Sequence, residues 1–431
     1  AYLVMTAMLF GASLSLRAAD IPITIHINAS PWYGGFEGLV LQYEKDTGNK
    51  VILDKIPYPG MLEKARNAFA ADESPYDLVN LDNGWVAELY DAGFLTPLTD
   101  IDPSYTLDPD YSTNADAICW DFERKWATCE TGKIMAFSSN GQTHLWYYRN
   151  DLIDKAPVTW DDVMDNCRKL HNPPKLYGAV QRGERGNPIR FAFSPHMFSF
   201  GGSIFADPSN GDYTVTFNSP QVAAAAESFI TMLQTCSTGT PAVVGQGEMV
   251  QLMLTGKAAQ AGIVVAAQAH MDNPAKSAVV GKISYTIMPR PADGKHNPIF
   301  GSWQMVIPQN ISDERKQAAM EFVKYYQTSA AQNALTLSGG IPTSYSVLAG
   351  PLSNEERFRW MSHFGDSAAA ASSQLIYVEG KQVNDVIGLY MNEILLGTYS
   401  VNQGLNLAAK DLHAIVTRTG RNTGMLDPLP E

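Results

Sequence analysis

Hydrophobic and polar positions change period along the first part of the chain, from a strand pattern to a helix pattern and back. After residue 20, the run "ITIHI" alternates as a strand does, and residues 35–47 then repeat apolar positions at helical spacing. Residues 51–56 predict a second strand, and a helix, a third strand at 76–81 and another helix follow. This β-α-β-α-β order predicts an α/β fold with a parallel sheet covered by helices on both faces.

A second α/β region follows the segment "LWYYRNDLI". Within it "FGSWQMVIP" has the pattern of a strand, and Ser312 is a plausible N-cap for the helical run that comes next. Residues 383–418 are almost entirely helical in pattern. Because no low-complexity linker separates the two regions, we expect two lobes joined by crossing strands, each lobe assembled from separate parts of the chain.

Residues 1–19 form the one continuous apolar segment, and small residues close it. The segment has the pattern of the apolar core and cleavage end of a secretory signal, so residues 1–19 are expected to be a signal peptide remnant. A buried N-terminal helix is the alternative. An exported chain of this kind is expected in the periplasm, and without a cysteine after the segment we expect no lipid anchor.

The four cysteines are consistent with an oxidising compartment and permit two disulfides. Cys119 and Cys129 flank a short loop and are the favoured pair, which leaves Cys167 for Cys236. Three pairings are open to four cysteines, and the sequence does not choose among them. The spacing includes no CxxC, which argues against a zinc site.

Charge and motifs narrow the function further. A net charge of −13 argues against nucleic acid and anionic membranes as partners. The motifs HExxH, GxSxG, GxxxxGK[ST] and GxGxxG do not occur, so we expect neither an enzyme nor a cofactor, and no metal site. Two tyrosine pairs, 147–148 and 325–326, leave a ferric site as a minor alternative. Paired carboxylates of a glycosidase also stay open, since such residues need only meet in space.

Aromatic and polar residues stand where predicted strands end. Trp32 and Tyr33 follow the first strand, Asp82 and Asn83 follow the third, and Trp303 lies at a crossing. In an open parallel sheet, ligands collect beyond the carboxyl ends of the strands. Rings match the apolar faces of sugars, while carboxylates and amides orient hydroxyl groups. The pattern therefore predicts a carbohydrate site, although a ring such as Trp32 could instead cover the sheet edge.

The same stretches resemble family 1 extracellular solute-binding proteins, the soluble receptors of ABC sugar importers, which include maltose-binding protein. The resemblance runs through "FEGLVLQYEKDTGNKV", "SPYDLVNLDNGWVAELYDAGFLTPLTD", "GKIMAFSSNGQTHLWYYRNDLI", "APVTWDDVMDNCRKL", "FSFGGSIF", "FGSWQMVIP", "AAMEFVKYYQ", "GGIPTSY" and "GLYMNEILLGTYSVNQGLNLAAKDLHAIV". It covers nearly the whole chain in order. It implies a two-lobed periplasmic-binding-protein fold, with a mostly parallel sheet in each lobe and a ligand cleft at the hinge.

The resemblance also implies boundaries, partners and site residues. Lobe 1 is expected to comprise 20–146 and 304–350, and lobe 2 to comprise 147–303 and 351–431. The expected partners are a small carbohydrate and a membrane permease, and we expect a monomer that does no chemistry on its ligand. The residues carried over to the ligand site are Trp32, Tyr33, Asp82, Asn83, Ser139, Asn140, Gln142, Arg190, Gly202, Trp303, Ile341 and Pro342.

One departure from the family pattern affects the ligand. The family often has an aromatic residue near Val264, where this chain has the small aliphatic run "VVAAQAH". A monosaccharide, polyol, disaccharide or short glycoside is therefore expected rather than a long maltodextrin. A phosphate ester or ferric ion on the same scaffold is the alternative, with Arg190, Arg182 or Arg185 as a partner for an anion. The hypothesis predicts that Trp32→Ala and Asp82→Ala each abolish stabilisation by ligand without changing the unliganded melting temperature.

Overall fold

The computed structural model describes residues 21–111, 115–373 and 375–431, so the predicted signal remnant at 1–19 lies outside the described residues. The strands are β1 (Ile23–Asn28), β2 (Val51–Ile56), β3 (Leu78–Asp82), β4 (Leu95–Thr96), β5 (Cys119–Trp120), β6 (Lys133–Ile134), β7 (Ala136–Arg149), β8 (Phe205–Asp207), β9 (Asp212–Val215), β10 (Gln260–Val264), β11 (Ile283–Ile287), β12 (Ile299–Pro308) and β13 (Ser372–Ser373). The helices are α1 (Tyr33–Thr47), α2 (Met61–Ala70), α3 (Val86–Asp91), α4 (Leu98–Ile101), α5 (Trp160–Leu170), α6 (Asn187–Ser199), α7 (Pro220–Cys236), α8 (Gln246–Leu254), α9 (Gln268–Met271), α10 (Asp313–Tyr326), α11 (Ser329–Leu337), α12 (Tyr345–Leu348), α13 (Trp360–Ala370), α14 (Gly380–Leu395) and α15 (Val401–Arg418). Within the described ranges, none of these helices combines the length and apolarity that a bilayer crossing needs.

The main sheet runs in the order β10-β7-β12-β3-β1-β2. Strands β1, β2 and β3 are mutually parallel, as the β-α-β-α-β pattern predicts. The long strands β7 and β12 run antiparallel to each other, and β12 is also antiparallel to β3. The structure contains β12 and the helix after Ser312, both of which the sequence predicts. The Ser312 side chain caps this helix by accepting a hydrogen bond from the Arg315 backbone N–H.

Strands β7 and β12 connect the two halves of the molecule. Over residues 136–143, β7 pairs with β12, whereas over 144–149 it pairs with β10 and β11. Strand β12 adds pairing with β3 at 303–306. The chain therefore passes between halves within continuous strands, as expected from the lack of a linker. These changes of partner lie close to the predicted limits at 146 and 303, and the lobe boundaries stay a prediction.

The first turn of α1 packs directly on the backbone that follows α11. A Cβ atom placed on Gly35 would lie 2.2 Å from both Cα and N of Gly340, which is closer than real contacts allow. Neither Gly34 nor Gly35 has a positive φ. Close packing of α1 on the Gly340 backbone therefore explains why residue 35 is glycine.

Trp32 lies inside the core beside this helix. Its side chain is 1% exposed. Its ring centroid lies 6.4 Å from that of Phe36 and 6.0 Å from that of Trp303. The ring therefore supports Trp303 from behind, which is the alternative role that the sequence leaves open.

Both expected disulfides are present, Cys119–Cys129 and Cys167–Cys236. The first closes a short loop after β5, and the second ties α5 to the end of α7. The loop also reaches the other half, where the Arg124 Nη2 atom donates to the Ser209 carbonyl at 3.1 Å.

A buried ion pair fastens the C-terminal segment. Arg421 donates from Nε to Glu379 Oε1 at 2.9 Å and from Nη2 to Oε2 at 3.1 Å, and the Glu379 side chain is 1% exposed. Burial alone would raise the pKa of Glu379, but hydrogen bonds from Arg421 and Thr419 and the charge of Arg421 outweigh burial and lower it. The carboxylate therefore stabilises the folded chain at neutral pH.

We expect Trp32→Ala to lower the free energy of unfolding by about 3–5 kcal/mol, because it empties a fully buried ring site. This reverses the expectation, drawn from sequence, that the unliganded melting temperature would not change. Tyr345→Ala is the matched control, since Tyr345 is 56% exposed and its loss is expected to cost less than about 0.5 kcal/mol. Urea unfolding measures both variants, and equal stability of the two would contradict this account of Trp32.

We expect Glu379→Gln to destabilise the protein at pH 7 by about 1–3 kcal/mol, since it removes the charge from a bidentate pair. The folded-state pKa of Glu379 is lowered, so its contribution is full above the usual glutamate pKa and is lost as pH falls through the folded value. The difference in melting temperature between wild type and variant should therefore shrink in acid. Glu227→Gln, on the exposed face of α7, is the control. A difference that does not depend on pH would contradict the argument.

Candidate functional site

A cavity of about 520 Å³ lies where the crossing strands meet the carboxyl ends of the sheet strands. This volume is within the range of about 300–1,000 Å³ that small-molecule sites occupy. Both halves contribute to its wall. The lining residues are Asn28, Ala29, Ser30, Pro31, Tyr58, Pro59, Asp82, Gln142, Arg182, Glu184, Arg185, Asn187, Pro188, Phe191, Gln246, Val264, Ser302 and Trp303.

The carboxyl ends of three parallel strands supply one wall. Residues 28–31 continue from β1, Tyr58 comes two residues after β2, and Asp82 is the last residue of β3. Parallel strands end at one edge of their sheet, so these residues meet although they are far apart in sequence. The strand-end rule thus predicts the correct edge of the sheet.

Aromatic rings cluster around Trp303 on this wall. The ring of Tyr58 lies 6.0 Å from that of Trp303 and 5.1 Å from that of Trp85. Trp85 lies 6.1 Å from Trp303, and Trp32 supports the same ring. Tyr58 and Trp303 line the cavity, whereas Trp32 and Trp85 stand behind them. The supporting rings fix the orientation of the two that face the cavity.

Asp82 lies beside these rings in a nearly dry environment. The carboxylate is 9% exposed, and its Oδ1 atom accepts a hydrogen bond from the Gly84 backbone N–H at 2.8 Å. Burial raises its pKa, against the opposing effects of the Gly84 hydrogen bond, the charges of Arg190 and Arg182, and Tyr58. Burial also raises the pKa of the Tyr58 phenol, and the Asp82 charge adds to the shift. Both groups offer strong hydrogen bonds to a bound polar molecule.

Arg182 dominates the wall that the other half supplies. Its guanidinium lies over the Phe191 ring, 4.9 Å from the centroid. Its Nη1 atom donates to Gln246 Oε1 at 3.3 Å, and Nη2 lies 3.0 Å from His144 Nε2. Burial, followed by the charges of Arg182 and Arg190, lowers the pKa of His144 well below its usual value. A neutral His144 therefore accepts from Arg182 through Nε2.

Two buried atoms of lining residues have open hydrogen-bonding capacity. Gln142 Oε1 and Arg182 Nε have no hydrogen-bond partner among the residues that the structure describes. Both side chains are 5% exposed. Because buried polar groups in folded proteins are nearly always paired, these atoms mark places for ligand or water groups. One is an acceptor and the other is a donor, which suits a hydroxylated molecule.

Three predicted site residues line the cavity, namely Asp82, Gln142 and Trp303. Three others, Asn83, Ser139 and Asn140, instead join the strands that cross between halves. Asn83 accepts a hydrogen bond from Gln304 Nε2 at 3.1 Å. Ser139 donates to the Trp303 carbonyl at 3.0 Å, and Asn140 accepts from the Trp303 backbone N–H at 3.3 Å. These hydrogen bonds hold the three side chains within the crossing.

The remaining predicted residues lie outside the cavity wall. Tyr33 is partly exposed under Lys55, Arg190 donates to Asn384, Gly202 packs against Val222, and Trp32, Ile341 and Pro342 are buried in the core. For Trp32 the reason is the short turn after β1, which returns the chain to the core at the start of α1. A ligand contact of any predicted residue stays a prediction.

Sequence reasoning missed Tyr58, Phe191 and Gln246 as lining residues. Tyr58 carries the same signal as Asp82, an aromatic or polar residue near a strand end, and the strand-end rule applied to β2 would have found it. Phe191 and Gln246 lie on helices, where nothing in the local pattern separates them from core or surface positions. Val264 does line the cavity, so the position singled out by its small size faces the site.

The tyrosine pairs have structural roles. Tyr147 donates from its hydroxyl to the carbonyls of Val264 and Val265, both at 3.2 Å, and Tyr326 donates to the Ser139 carbonyl. Both are fully buried. Across the described parts of the chain, no group of three or more His, Cys, Asp or Glu residues is placed to hold a metal ion.

A larger cavity of about 740 Å³ lies between α12, α13 and the start of β12. Its wall is formed by Phe300, Tyr345, Leu348, Ala349, Ser353, Asn354, Met361, Ser362, Phe364, Gly365, Ala368, Ala369, Ala371 and Ser373. None of the described residues that line it is charged, and most of them are apolar. The smaller cavity is the better candidate, because its few converging polar groups stand against aromatic rings.

Comparisons with known proteins agree with this architecture. The family model for bacterial extracellular solute-binding proteins matches residues 29–333. A curated relative, the probable amino-acid ABC transporter periplasmic-binding protein y4oP of Sinorhizobium fredii, is 26% identical over 198 residues. That match covers 46% of this chain and 43% of the relative, so it spans less than half of either protein.

Three solved structures share the fold across nearly the whole molecule. Maltose-bound T. maritima MalE3 has a TM-score of 0.79 at 20% identity and covers 91% of this chain and 99% of its own. A ribitol-bound protein from Agrobacterium radiobacter K84 has a TM-score of 0.78 at 21% identity, covering 91% and 98%. A mannitol-bound protein from Agrobacterium vitis S4 has a TM-score of 0.71 at 19% identity, covering 94% and 100%. These likenesses confirm the predicted two-lobed α/β fold. Together with the family match, they identify the chain as a member of the bacterial extracellular solute-binding protein family.

Proposed function

We propose that the protein is a periplasmic receptor of an ABC importer that captures a small carbohydrate and delivers it to a membrane permease. The supporting observation is the cavity at the crossing strands, where Tyr58, Asp82 and Trp303 of one half face Gln142 and Arg182. Rings and buried polar groups in one small cavity are the combination that holds a sugar or polyol. The proteins of similar fold that were solved with maltose, ribitol and mannitol support the same ligand class.

Binding is proposed to favour closure of the halves around the ligand. A ligand shifts a conformational equilibrium only through different contacts in the two states, so it has to touch both walls. Hinge closure of periplasmic binding proteins is a known example of this motion. In this chain β7 and β12 would form the hinge. The bending would occur near the residues where these strands change their pairing partners. The closed receptor, acting as a monomer, would then dock on the permease.

Chemistry on the ligand is the competing function. The carboxyl groups of Asp82 and Glu184 both line the cavity, and paired carboxylates are what glycoside hydrolysis requires. We propose binding without turnover, since the family consists of solute-binding proteins. The two functions give opposite results when the protein is incubated with labelled disaccharides: a receptor returns them intact.

A thermal-shift panel tests the proposed function directly. The panel contains ribitol, mannitol, tagatose, maltose, a disaccharide set and, because of the y4oP relative, amino acids. We expect at least one sugar or polyol to raise the melting temperature in proportion to the logarithm of its concentration, since it binds only the folded form. A response to amino acids alone, or cleavage of a disaccharide, would contradict the proposal.

We expect Asp82→Asn to weaken this ligand response about tenfold or more, because a charged acceptor becomes a neutral one. Burial raises the pKa of Asp82, so ionisation at pH 7 costs folding energy, and the unliganded variant should melt at the same temperature as wild type or higher. In wild type, affinity should fall as the pH drops through this raised pKa. Asp165→Asn, a 60% exposed carboxylate, is the control with the same charge change. An unchanged response in Asp82→Asn would remove that residue from the site.

A further inference from the structure

We propose that the carbohydrate bound in this cavity carries an anionic group, a carboxylate or a phosphate, which Arg182 binds. The inference rests on the proposed function and specifies its ligand class. Arg182 lines the cavity with a side chain that is 5% exposed, and its Nε atom has no hydrogen-bond partner in the described parts of the chain. A buried guanidinium that lines a ligand cavity and has no carboxylate within ion-pair distance is the main observation.

The hydrogen-bond partners of Arg182 carry no charge, and the carboxylates of Asp82 and Glu184 act on it only from beyond ion-pair distance. Its hydrogen-bond partners are Gln246 and His144, a neutral amide and a neutral imidazole. Among the described residues, no carboxylate oxygen lies within ion-pair distance of it. Burial, and then repulsion from Arg190, lower the pKa of Arg182 to about 9, so it keeps its charge at pH 7. A charge buried without an ion pair is costly unless another group compensates it.

The buried charges around the cavity sum to a positive value. Arg182 and Arg190 are 5% and 2% exposed, and each guanidinium lies near the Phe191 ring, at 4.9 Å and 5.4 Å. Asp82 is the buried carboxylate that faces them, and its single negative charge stands against the two guanidinium groups. Glu184 and Arg185 stand at the exposed rim, where Arg185 lies 4.0 Å from Glu393 and the charge of Glu184 acts on Arg182 through solvent-exposed space. The protein as a whole has a net charge of −13, so a cavity with an excess of buried positive charge is an exception. A bound anion would balance that positive charge.

One helix end reinforces the same sign. Helix α6 begins at Asn187, which lines the cavity, and its first turn carries no acidic residue, whereas the start of α8 is already capped by the Glu248 carboxylate. The N-terminus of a helix carries partial positive charge and favours anions.

Guanidinium groups match carboxylate and phosphate oxygens, with paired parallel hydrogen bonds where two donors are free. Gln142 Oε1, the unpaired acceptor in the same cavity, takes a hydrogen bond from a hydroxyl group, so the anion is expected to belong to a sugar or polyol.

Arg182 also differs from the arginines that form ordinary surface pairs. Arg185 is 62% exposed and lies 4.0 Å from Glu393, as a solvated pair does. Arg168 is 67% exposed and pairs with Asp165 at 2.6 Å. Such pairs contribute little and need no ligand. Arg168→Gln is therefore a control that changes the net charge as Arg182→Gln does, but far from the cavity wall.

Isothermal titration with matched ligands at pH 7 tests the inference. The sets are glucose, glucuronate and glucose 6-phosphate, and glycerol with glycerol phosphate, alongside the neutral polyols. We expect an anionic member to bind wild type at least about tenfold tighter than its neutral parent, because a charged hydrogen bond is gained in a dry site. The uronate and phosphate members distinguish the two sources of the anion.

Arg182→Gln should remove this preference by weakening the anionic members much more than their neutral parents, whereas Arg182→Lys should retain part of the preference and Arg168→Gln all of it. Equal or tighter binding of neutral parents by wild type would overturn the inference and leave the carbohydrate receptor standing. Persistence of the anionic preference in a folded Arg182→Gln variant would overturn the role of Arg182. If neither class of carbohydrate binds, the proposed function falls and the inference falls with it.

Discussion

The antiparallel pairing of β7 with β12 is the constraint on which the rest of the molecule depends. Each strand belongs to one half at one end and to the other half at the other end, so the same hydrogen bonds hold the halves together and place the cavity. Buried side chains secure the crossing: Gln304 accepts from Ser138 and donates to Asn83, and Ser139 donates to the Trp303 carbonyl. Such a network is costly to leave half satisfied, so it specifies one register for the crossing.

The two walls of the cavity have different chemistry because different parts of the fold build them. One wall comes from the carboxyl ends of parallel strands and carries rings and the Asp82 carboxylate. The other comes from the loop before α6 and the helix starts, and it carries the buried guanidinium of Arg182. Stacking suits the apolar face of a sugar ring, and the charged groups suit its substituents. A molecule that satisfies both walls has to bridge them, which links recognition to closure.

Much of this could be predicted from sequence, and the failures have physical causes. Periodicity and strand order predict the parallel strands, and the strand-end rule selects the correct edge and Asp82. Trp32 is not among the described lining residues, because a strand-end position does not show whether the following turn carries a ring outward or back to the core. Residue 35 has to be glycine because it contacts Gly340, about 300 residues later in the chain, and local conformation does not reveal such a contact. Arg182 stands out only when its lack of a carboxylate partner is known, and that is a property of the folded chain.

A crystal structure with the ligand selected by the thermal-shift panel tests the central claim most directly. The account predicts ligand density in the cavity at the crossing strands, in contact with Tyr58, Asp82 or Trp303 on one wall and with Arg182 or Phe191 on the other. Density held by a single wall, or located in the apolar cavity between α12 and α13, would contradict it.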